Sequence, residues 1–196
     1  MQENMVWYVC YGSNLLEERF LCYIRGGRIP GNTREERGAR DSSLPERSEP
    51  FLLHHKLFFS KSARKWDGSG VAFLDRTYSE EERTYARRYL ITRDQFLDVI
   101  RQENAVPASC QLAWDEETLR REGSVVLIPN SWYGRLLYLG TEEGIPMYSF
   151  TCVPATEDME INPATGGYYD VIADGLRETW KLTDDEIRAY LRPVRE

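Results

Sequence analysis

The sequence predicts an α+β fold, a small, mixed and largely antiparallel β-barrel with flanking helices. Strand-like segments follow one another in hairpin-like succession, with few helical segments between them. Two clear helical segments close the chain, which is unlike the strand and helix alternation of a doubly wound parallel sheet. The length of 196 residues suits a single domain spanning residues 1–196, with enough chain to bury a substantial core.

The first element is a strand at residues 5–10, which is rich in apolar residues and barely alternates, as in a strand covered on both faces. The turn YGSN follows it. Asn14, with Glu17 three residues later, is predicted to cap the next helix. That helix has an apolar stripe formed by Leu16, Phe20, Tyr23 and Ile24.

Residues 28–50 form a polar insertion with almost nothing apolar, which predicts a loop. The segment exceeds the roughly 12–15 residues usual for a loop inside a compact domain, so it is either a solvated insertion or a mobile lid. Its arginines either recognise an anionic substrate or keep the loop solvated. They are Arg34, Arg37, Arg40 and Arg47.

Six further strands are predicted at residues 51–60, 71–75, 83–92, 124–128, 134–140 and 146–153. The first closing helix places Tyr168, Ile172 and Leu176 on one face. In the second, near residues 183–192, Thr183 and Glu186 form a capping box. The aromatic segments WYGRLLYL and GGYY are candidates for the rim of a pocket.

A carboxylate stands out in the segment TRDQFLDVIRQENAV. Thr92 and Gln95 fit a capping box, so a helix should begin near residue 93 directly after a strand. Its apolar stripe of Phe96, Val99 and Ile100 continues to Glu103. Glu103 has two interpretations. In the first, it lies at a frayed helix end and reaches water or an arginine. In the second, it is a buried general base or acid, because burial favours the protonated form that proton transfer near neutral pH requires.

Charge and composition disfavour several classes of protein. The net charge of -7 and the pI near 5.1 argue against nucleic-acid or anionic-membrane partners. No apolar run approaches the roughly 20 residues that span a bilayer, and the first residues do not resemble a secretory signal, so a cytoplasmic protein is expected. The scattered cysteines indicate reduced thiols. Oligomeric state is left open.

Metal and cofactor sites also lack support in the sequence. His54 and His55 are the two histidines and are adjacent in a predicted strand, where their side chains point to opposite faces. No metal site is predicted, and a zinc hydrolase or zinc-dependent deacetylase is disfavoured. Neither nucleotide-binding glycine motif occurs, so no cofactor is predicted. A nucleophilic amidohydrolase using Cys10 or Ser13 is kept as a weaker alternative.

The order and spacing of YGSNL after a first strand, WDGSGVAFL, the helix ending at Glu103 and the late PATGGYYDVIADGL resemble the γ-glutamylcyclotransferase-like family. The resemblance implies a cofactor-free enzyme that releases 5-oxoproline from a γ-glutamyl compound. In that chemistry the α-amine attacks the γ-carbonyl of the same molecule. A binding module for a γ-glutamyl or other acidic metabolite, without turnover, is the alternative.

The resemblance also implies roles for individual residues. Glu103 matches the family's catalytic glutamate, acting as base and then acid. The implied cradle for the glutamyl group comprises Tyr8, Tyr11, Gly12, Ser13, Asn14, Leu15 and Tyr168, with Tyr169 in place of Tyr168 if the register slips. The family often has Gly after this glutamate, and the chain has Asn104, which tolerates left-handed backbone.

Overall fold

A computed structural model describes residues 4–28 and 35–192 of the chain. The strands are β1 Met5–Cys10, β2 Arg47–Leu53, β3 His55–Ala63, β4 Ser69–Tyr78, β5 Thr84–Thr92, β6 Ser124–Val126, β7 Arg135–Glu142 and β8 Ile145–Thr151. The helices are α1 Glu17–Arg25, α2 Arg93–Glu103, α3 Glu116–Glu122, α4 Gly166–Trp180 and α5 Asp184–Tyr190. In this part of the chain, no helix combines the length and the apolar character that crossing a bilayer demands.

The main sheet has six strands in the order β2-β5-β1-β8-β7-β6. β1 runs parallel to β8, with Trp7 opposite Met147, and the other neighbours are antiparallel. The predicted α+β class with a mixed, largely antiparallel sheet and flanking helices is therefore confirmed.

The predicted closure into a barrel is wrong for the described residues. β2 and β6 are the edges of the six-stranded sheet, and the hairpin β3–β4 forms a second sheet of its own. Where the hairpin meets β8, the backbone N–H of Leu74 donates to the Thr151 hydroxyl, at 3.0 Å. A side chain occupies the place of a backbone acceptor, so the ladder does not continue from one sheet to the other.

Several strand boundaries and one helix differ from the prediction. The segment 51–60 is split at His54 between β2 and β3, and β2 begins at Arg47, inside the predicted insertion, because it pairs with β5. Helix α3 was not predicted. Within it only Leu119 is buried, so its sequence carries no apolar period to find.

The predicted cap of α1 by Asn14 is also wrong. Residues Ser13–Leu15 form a 3-10 turn, and α1 begins at Glu17 without any side-chain cap. The Asn14 side chain points inward instead and bonds a carboxylate. The capping boxes of Thr92 with Gln95 and of Thr183 with Glu186 are confirmed.

The alternation of side chains along β1 divides the core into two layers. Trp7 and Val9 belong to the layer that includes α4 and the hairpin β3–β4. Val6 and Tyr8 belong to the layer that includes α1 and α2. The end of β1 therefore lies between the two helical layers, at the point where the YGSNL turn begins.

Most of the described part of the polar insertion, residues 35–46, forms a strap along α1 and α2. Ala39 N–H donates to Ile24 O at 3.0 Å. Three polar residues on one face of α2 hold the strap: Asp98 accepts from Arg40 N–H at 3.0 Å, Gln102 from Gly38 N–H at 3.1 Å, and Gln95 donates to Ser43 O at 2.8 Å. Residues 29–34, including Arg34, lie outside the described part.

Candidate functional site

A cavity of about 280 Å³ opens at the end of β1. It lies between the YGSNL turn, the hairpin β3–β4, the end of α2, the start of α4 and the loop before β7. Its lining comprises Tyr8, Cys10, Tyr11, Gly12, Ser13, Asn14, Ala63, Arg64, Lys65, Trp66, Val71, Ala72, Glu103, Trp132, Tyr133, Phe150 and Tyr168. None of the described strap residues lines it, so the strap does not form a lid there.

The YGSNL turn is fixed from two sides. The Tyr89 hydroxyl on β5 donates to Asn14 O at 3.0 Å, and the Arg87 guanidinium donates to Leu15 O at 3.2 Å. On the other side α4 approaches at Gly175, where an added Cβ would lie 2.5 Å from the Leu15 Cβ. The start of the 3-10 turn keeps backbone N–H groups that have no acceptor within that turn.

Glu103 is the last residue of α2 and is half-buried against this turn. The Asn14 amide Nδ2 donates to Glu103 Oε1 at 3.0 Å and to the Tyr8 hydroxyl at 3.0 Å. The Tyr23 hydroxyl also hydrogen-bonds the Glu103 carboxylate. The other amide atom of Asn14, Oδ1, is buried and has no hydrogen-bond partner among the described residues. One face of the carboxylate is thus held by an amide and a phenol.

Tyr168, in the first turn of α4, closes the opposite wall. Its hydroxyl accepts hydrogen bonds from the backbone N–H of Ala72, at 3.0 Å, and of Ser13. Trp66 packs against its ring with the centroids 5.3 Å apart. Gly12 leaves room for this hydroxyl, since an added Cβ would lie 3.0 Å from it. The hydroxyl proton of Tyr168 remains available to a ligand.

Asn104 anchors the loop that brings Trp132 and Tyr133 to the cavity. Its amide donates to Tyr133 O at 3.1 Å and accepts from Tyr133 N at 3.2 Å and from the Ser131 hydroxyl. The left-handed backbone expected at Asn104 lies one residue later, because Asn104 has φ -94° and Ala105 has φ 52°. Asn104 therefore contributes to the site through its side chain, which fixes the loop, and not through a left-handed backbone.

Burial keeps the hydroxyl and thiol groups of the site protonated. Desolvation, and after it the negative charge of Glu103, raises the pKa of the Tyr23 phenol well above its usual value. Desolvation chiefly raises the pKa values of Tyr8, Tyr11, Tyr133 and Tyr168 in the same direction. It also raises the pKa of the Cys10 thiol, which donates to Arg87 O. A protonated, buried thiol is a poor nucleophile.

The cavity brings together most of the predicted site residues: Tyr8, Tyr11, Gly12, Ser13, Asn14, Glu103 and Tyr168. Leu15 does not line the cavity; it is fully buried in the core. Tyr169, the alternative to Tyr168, is also absent from the lining.

Sequence reasoning missed several residues of the wall, among them Arg64, Lys65 and Trp66. Trp66 lies in the connection between β3 and β4 and is the first residue of the segment WDGSGVAFL, but no periodic pattern distinguishes it from a core residue. The segment WYGRLLYL, by contrast, does supply Trp132 and Tyr133. Among the described residues, no group of three or more His, Cys, Asp or Glu side chains is arranged to hold a metal ion.

Comparisons with known proteins find a sequence relative and similar solved structures. No family model matches the chain. The chain is 35% identical, over 95% of its length, to histone deacetylase 5 of Arabidopsis thaliana, but it spans only 30% of the length of that protein. The similarity therefore concerns a minor part of a much longer chain.

The solved structures are similar over nearly the whole chain. A gamma-glutamyl cyclotransferase superposes with a TM-score of 0.52 at 19% identity, covering 97% of this chain and 88% of that one. An uncharacterized human protein superposes with a TM-score of 0.54 at 18% identity, covering 98% and 89%. The chain thus has a γ-glutamylcyclotransferase-like fold.

Proposed function

We propose that this protein is a cofactor-free γ-glutamylcyclotransferase-like enzyme that releases 5-oxoproline from a γ-glutamyl compound. One observation carries the proposal: Asn14 holds the Glu103 carboxylate, at 3.0 Å, against the YGSNL turn inside a cavity large enough for a glutamyl group. The fold shared with a gamma-glutamyl cyclotransferase supports it.

The reaction requires a base beside the substrate's α-ammonium, whose pKa is near 8 in model compounds. In the proposed mechanism Glu103 accepts one of its protons. The nitrogen lone pair then attacks the γ-carbonyl carbon of the same molecule and forms the five-membered ring. As the bond from the γ-carbon to the leaving nitrogen breaks, Glu103 returns the proton to that nitrogen. The second proton lost by the ring nitrogen ends on the released amine, which leaves as an ammonium ion.

The turn and the aromatic wall would hold the substrate in the folded shape that this attack needs. The backbone N–H of Asn14, in the Ser13–Leu15 turn, suits a carboxylate or a developing oxyanion. Because nucleophile and electrophile belong to one molecule, positioning and proton transfer make up most of the catalysis.

The alternatives make different predictions. A binding module would hold the same ligands without turnover. An amidohydrolase would use Cys10 or Ser13, but the raised pKa of Cys10 and the place of Ser13 in the turn disfavour a nucleophile. The deacetylase name belongs to a protein of which this chain spans 30%, and no residue of the cavity wall favours that chemistry here.

The test is an assay of 5-oxoproline release from a panel of γ-glutamyl amines, γ-glutamyl peptides and glutathione. We expect release by the wild type and a loss of at least about 100-fold in kcat for Glu103→Gln, which keeps the shape but removes the base. Cys10→Ala should retain activity. Ligand binding by calorimetry shows whether an inactive variant still has an intact cavity.

Two outcomes would contradict the proposal. If the wild type binds γ-glutamyl ligands but releases no 5-oxoproline, the protein is a binding module. If Glu103→Gln keeps full activity while Cys10→Ala or Ser13→Ala abolishes it, the amidohydrolase mechanism replaces the proposed one.

A further inference from the structure

A chain of polar contacts leads from the strap to the proposed base. Arg19 on α1 donates through Nη2 to Glu36 Oε1 at 2.9 Å and to the Tyr23 hydroxyl at 2.5 Å. Tyr23, one helical turn after Arg19, hydrogen-bonds the Glu103 carboxylate. The order of contacts is therefore Glu36, Arg19, Tyr23 and Glu103, and its first member belongs to the strap.

The pair at the head of this chain is buried, with Arg19 2% and Glu36 5% exposed. The desolvation cost of a buried ion pair often exceeds its electrostatic gain. A contribution to stability therefore does not by itself explain why Arg19 and Glu36 are buried. Burial by itself would lower the pKa of Arg19, but Tyr23, Glu103 and Glu36 together raise it. The guanidinium therefore stays charged, and its charge acts on both carboxylates.

Further hydrogen bonds hold the strap next to this series of contacts. Its residue Gly38 donates to Gln102 Oε1, while Gln102 Nε2 donates to Tyr23 O at 2.9 Å. Gln102 directly precedes Glu103, so one residue ties the strap, α1 and the end of α2 together. The bridge between Gly27 and Glu36 fixes the backbone that carries the Glu36 carboxylate.

We propose that Arg19 and Glu36 are positioning residues for Glu103: Arg19 with Tyr23 orients the Glu103 carboxylate, and Glu36 offsets part of the Arg19 charge. The orientation of the Glu103 carboxylate then depends on a residue of the strap, outside the cavity. The catalytic consequence rests on the proposed function, because it takes Glu103 as the base. The effect of Arg19 and Glu36 on the Glu103 carboxylate does not depend on the proposed function.

Other groups also face this carboxylate and are part of its electrostatics. They are the phenols of Tyr8, Tyr11, Tyr23, Tyr133 and Tyr168 and the Cys10 thiol. All are neutral at physiological pH, because burial raises the pKa of each one. Arg64 and Lys65 also line the cavity. Arg64 is exposed, so solvent screens its charge. Substitution of Arg19 or Glu36 leaves all of these in place.

The test follows the Glu103 carboxyl directly, by ¹³C NMR of protein labelled at the glutamate side chains, with Glu103→Gln to assign the signal. Arg19→Met removes the cation and leaves Glu36 behind, so the transition of the Glu103 carboxyl should move to higher pH. Glu36→Gln frees the Arg19 charge and should move the transition to lower pH. The two substitutions thus shift the transition in opposite directions.

A purely structural role for the pair predicts a different result, since both variants would then lose stability without opposite shifts. Because Glu36→Gln leaves a buried charge unpaired, it is compared with the double variant Arg19→Met with Glu36→Gln, which removes both charges. The double variant should titrate below Arg19→Met alone. Asp98→Asn is the control that loosens the strap elsewhere and should leave the transition unchanged.

In the activity assay, the acid limb of the pH profile of kcat/KM should move in the same order as the NMR transition. Absence of 5-oxoproline release by the wild type overturns the proposed function, and the NMR titration still decides the inference. Equal transitions in the wild type, Arg19→Met and the double variant overturn the inference, whatever the activity.

Discussion

At the residue scale, Asn14 shows how a buried partner overrides a local rule. Its side chain would satisfy a backbone N–H at the start of α1, as the pattern with Glu17 predicts, at a gain of about 1 kcal/mol. It bonds Glu103 and Tyr8 instead. An unpaired half-buried carboxylate costs more than a missing cap at a helix end that water reaches. The charged partner therefore decides the rotamer.

Tyr168 is expected to be the aromatic residue of α4 that matters for the site. Tyr168→Phe removes an acceptor from the buried N–H groups of Ala72 and Ser13 and should lower the free energy of unfolding by roughly 1–3 kcal/mol. It should also raise KM for a γ-glutamyl substrate. Urea unfolding and steady-state kinetics measure the two effects.

The neighbouring Tyr169→Phe is the matched control, since Tyr169 does not line the cavity. Its stability should stay within about 0.5 kcal/mol of the wild type, with KM unchanged. A larger effect on KM from Tyr169→Phe than from Tyr168→Phe would show that Tyr169, and not Tyr168, contacts the substrate.

At the scale of elements, the fit of α4 against the YGSNL turn depends on Gly175. A Cβ there would lie 2.5 Å from the Leu15 Cβ and 2.6 Å from the Leu16 backbone N, and backbone cannot turn away as a flexible side chain does. Gly175→Ala should therefore cost about 1–3 kcal/mol of stability and lower activity by displacing the turn. Chemical denaturation measures the first effect.

Gly167→Ala, in the same helix, is the comparison. An added Cβ would make ordinary contact with the Trp66 ring at 3.8 Å, so stability should be unchanged or higher by up to about 1 kcal/mol, as helix propensity predicts. Equal losses of stability from both substitutions would show that alanine destabilises helix α4 itself, and that the contact of Gly175 with the turn is not the cause.

The attachment of the strap to α2 should depend on pH. Burial by itself would raise the pKa of Asp98, but hydrogen bonds from Arg40 and Arg101 hold it below its usual value. A depressed pKa in the folded state means that this carboxylate contributes stability above its unfolded pKa, near 4, and that the contribution is lost as the pH falls further. Exchange of the Arg40 amide hydrogen should accelerate below about pH 4.

Asp98→Asn should show the faster exchange at neutral pH and a weaker change on acidification. If the exchange of Arg40 in the wild type were the same at pH 3 and pH 6 after correction for intrinsic rates, Asp98 would not be one of the residues that hold the strap.

At the scale of the whole molecule, ligand binding should stabilise the fold, because the cavity joins elements from both ends of the chain. 5-Oxoproline, the product of the proposed reaction, binds without turnover and should raise the free energy of unfolding by about 2.7 kcal/mol at 100 times its Kd. Proline, which lacks the ring carbonyl, is the matched control and should have little effect. Thermal unfolding with each ligand measures this, and equal shifts from both would argue against a cradle for the acyl group.

Much of the fold could be predicted from local pattern. Met5–Cys10 is predicted to the residue, and two capping boxes are correct, because strand and helix ends depend on chemistry within a few positions. Helix α3 was missed because only Leu119 in it is buried. The open sheet was also missed, since strand order and closure depend on pairings far apart in sequence.

The sequence by itself determined the α+β class, the turn YGSNL after the first strand and a carboxylate that completes an apolar stripe at Glu103, because each depends on period or adjacency along the chain. Only the tertiary structure decided that Asn14 and Glu103 touch, that Tyr168 and not Tyr169 faces the cavity, and that a polar insertion becomes a strap joined to Arg19 through Glu36. Such contacts join residues far apart in sequence, 89 positions in the case of Asn14 and Glu103, and their free energy comes from burial and partner choice that no local pattern records.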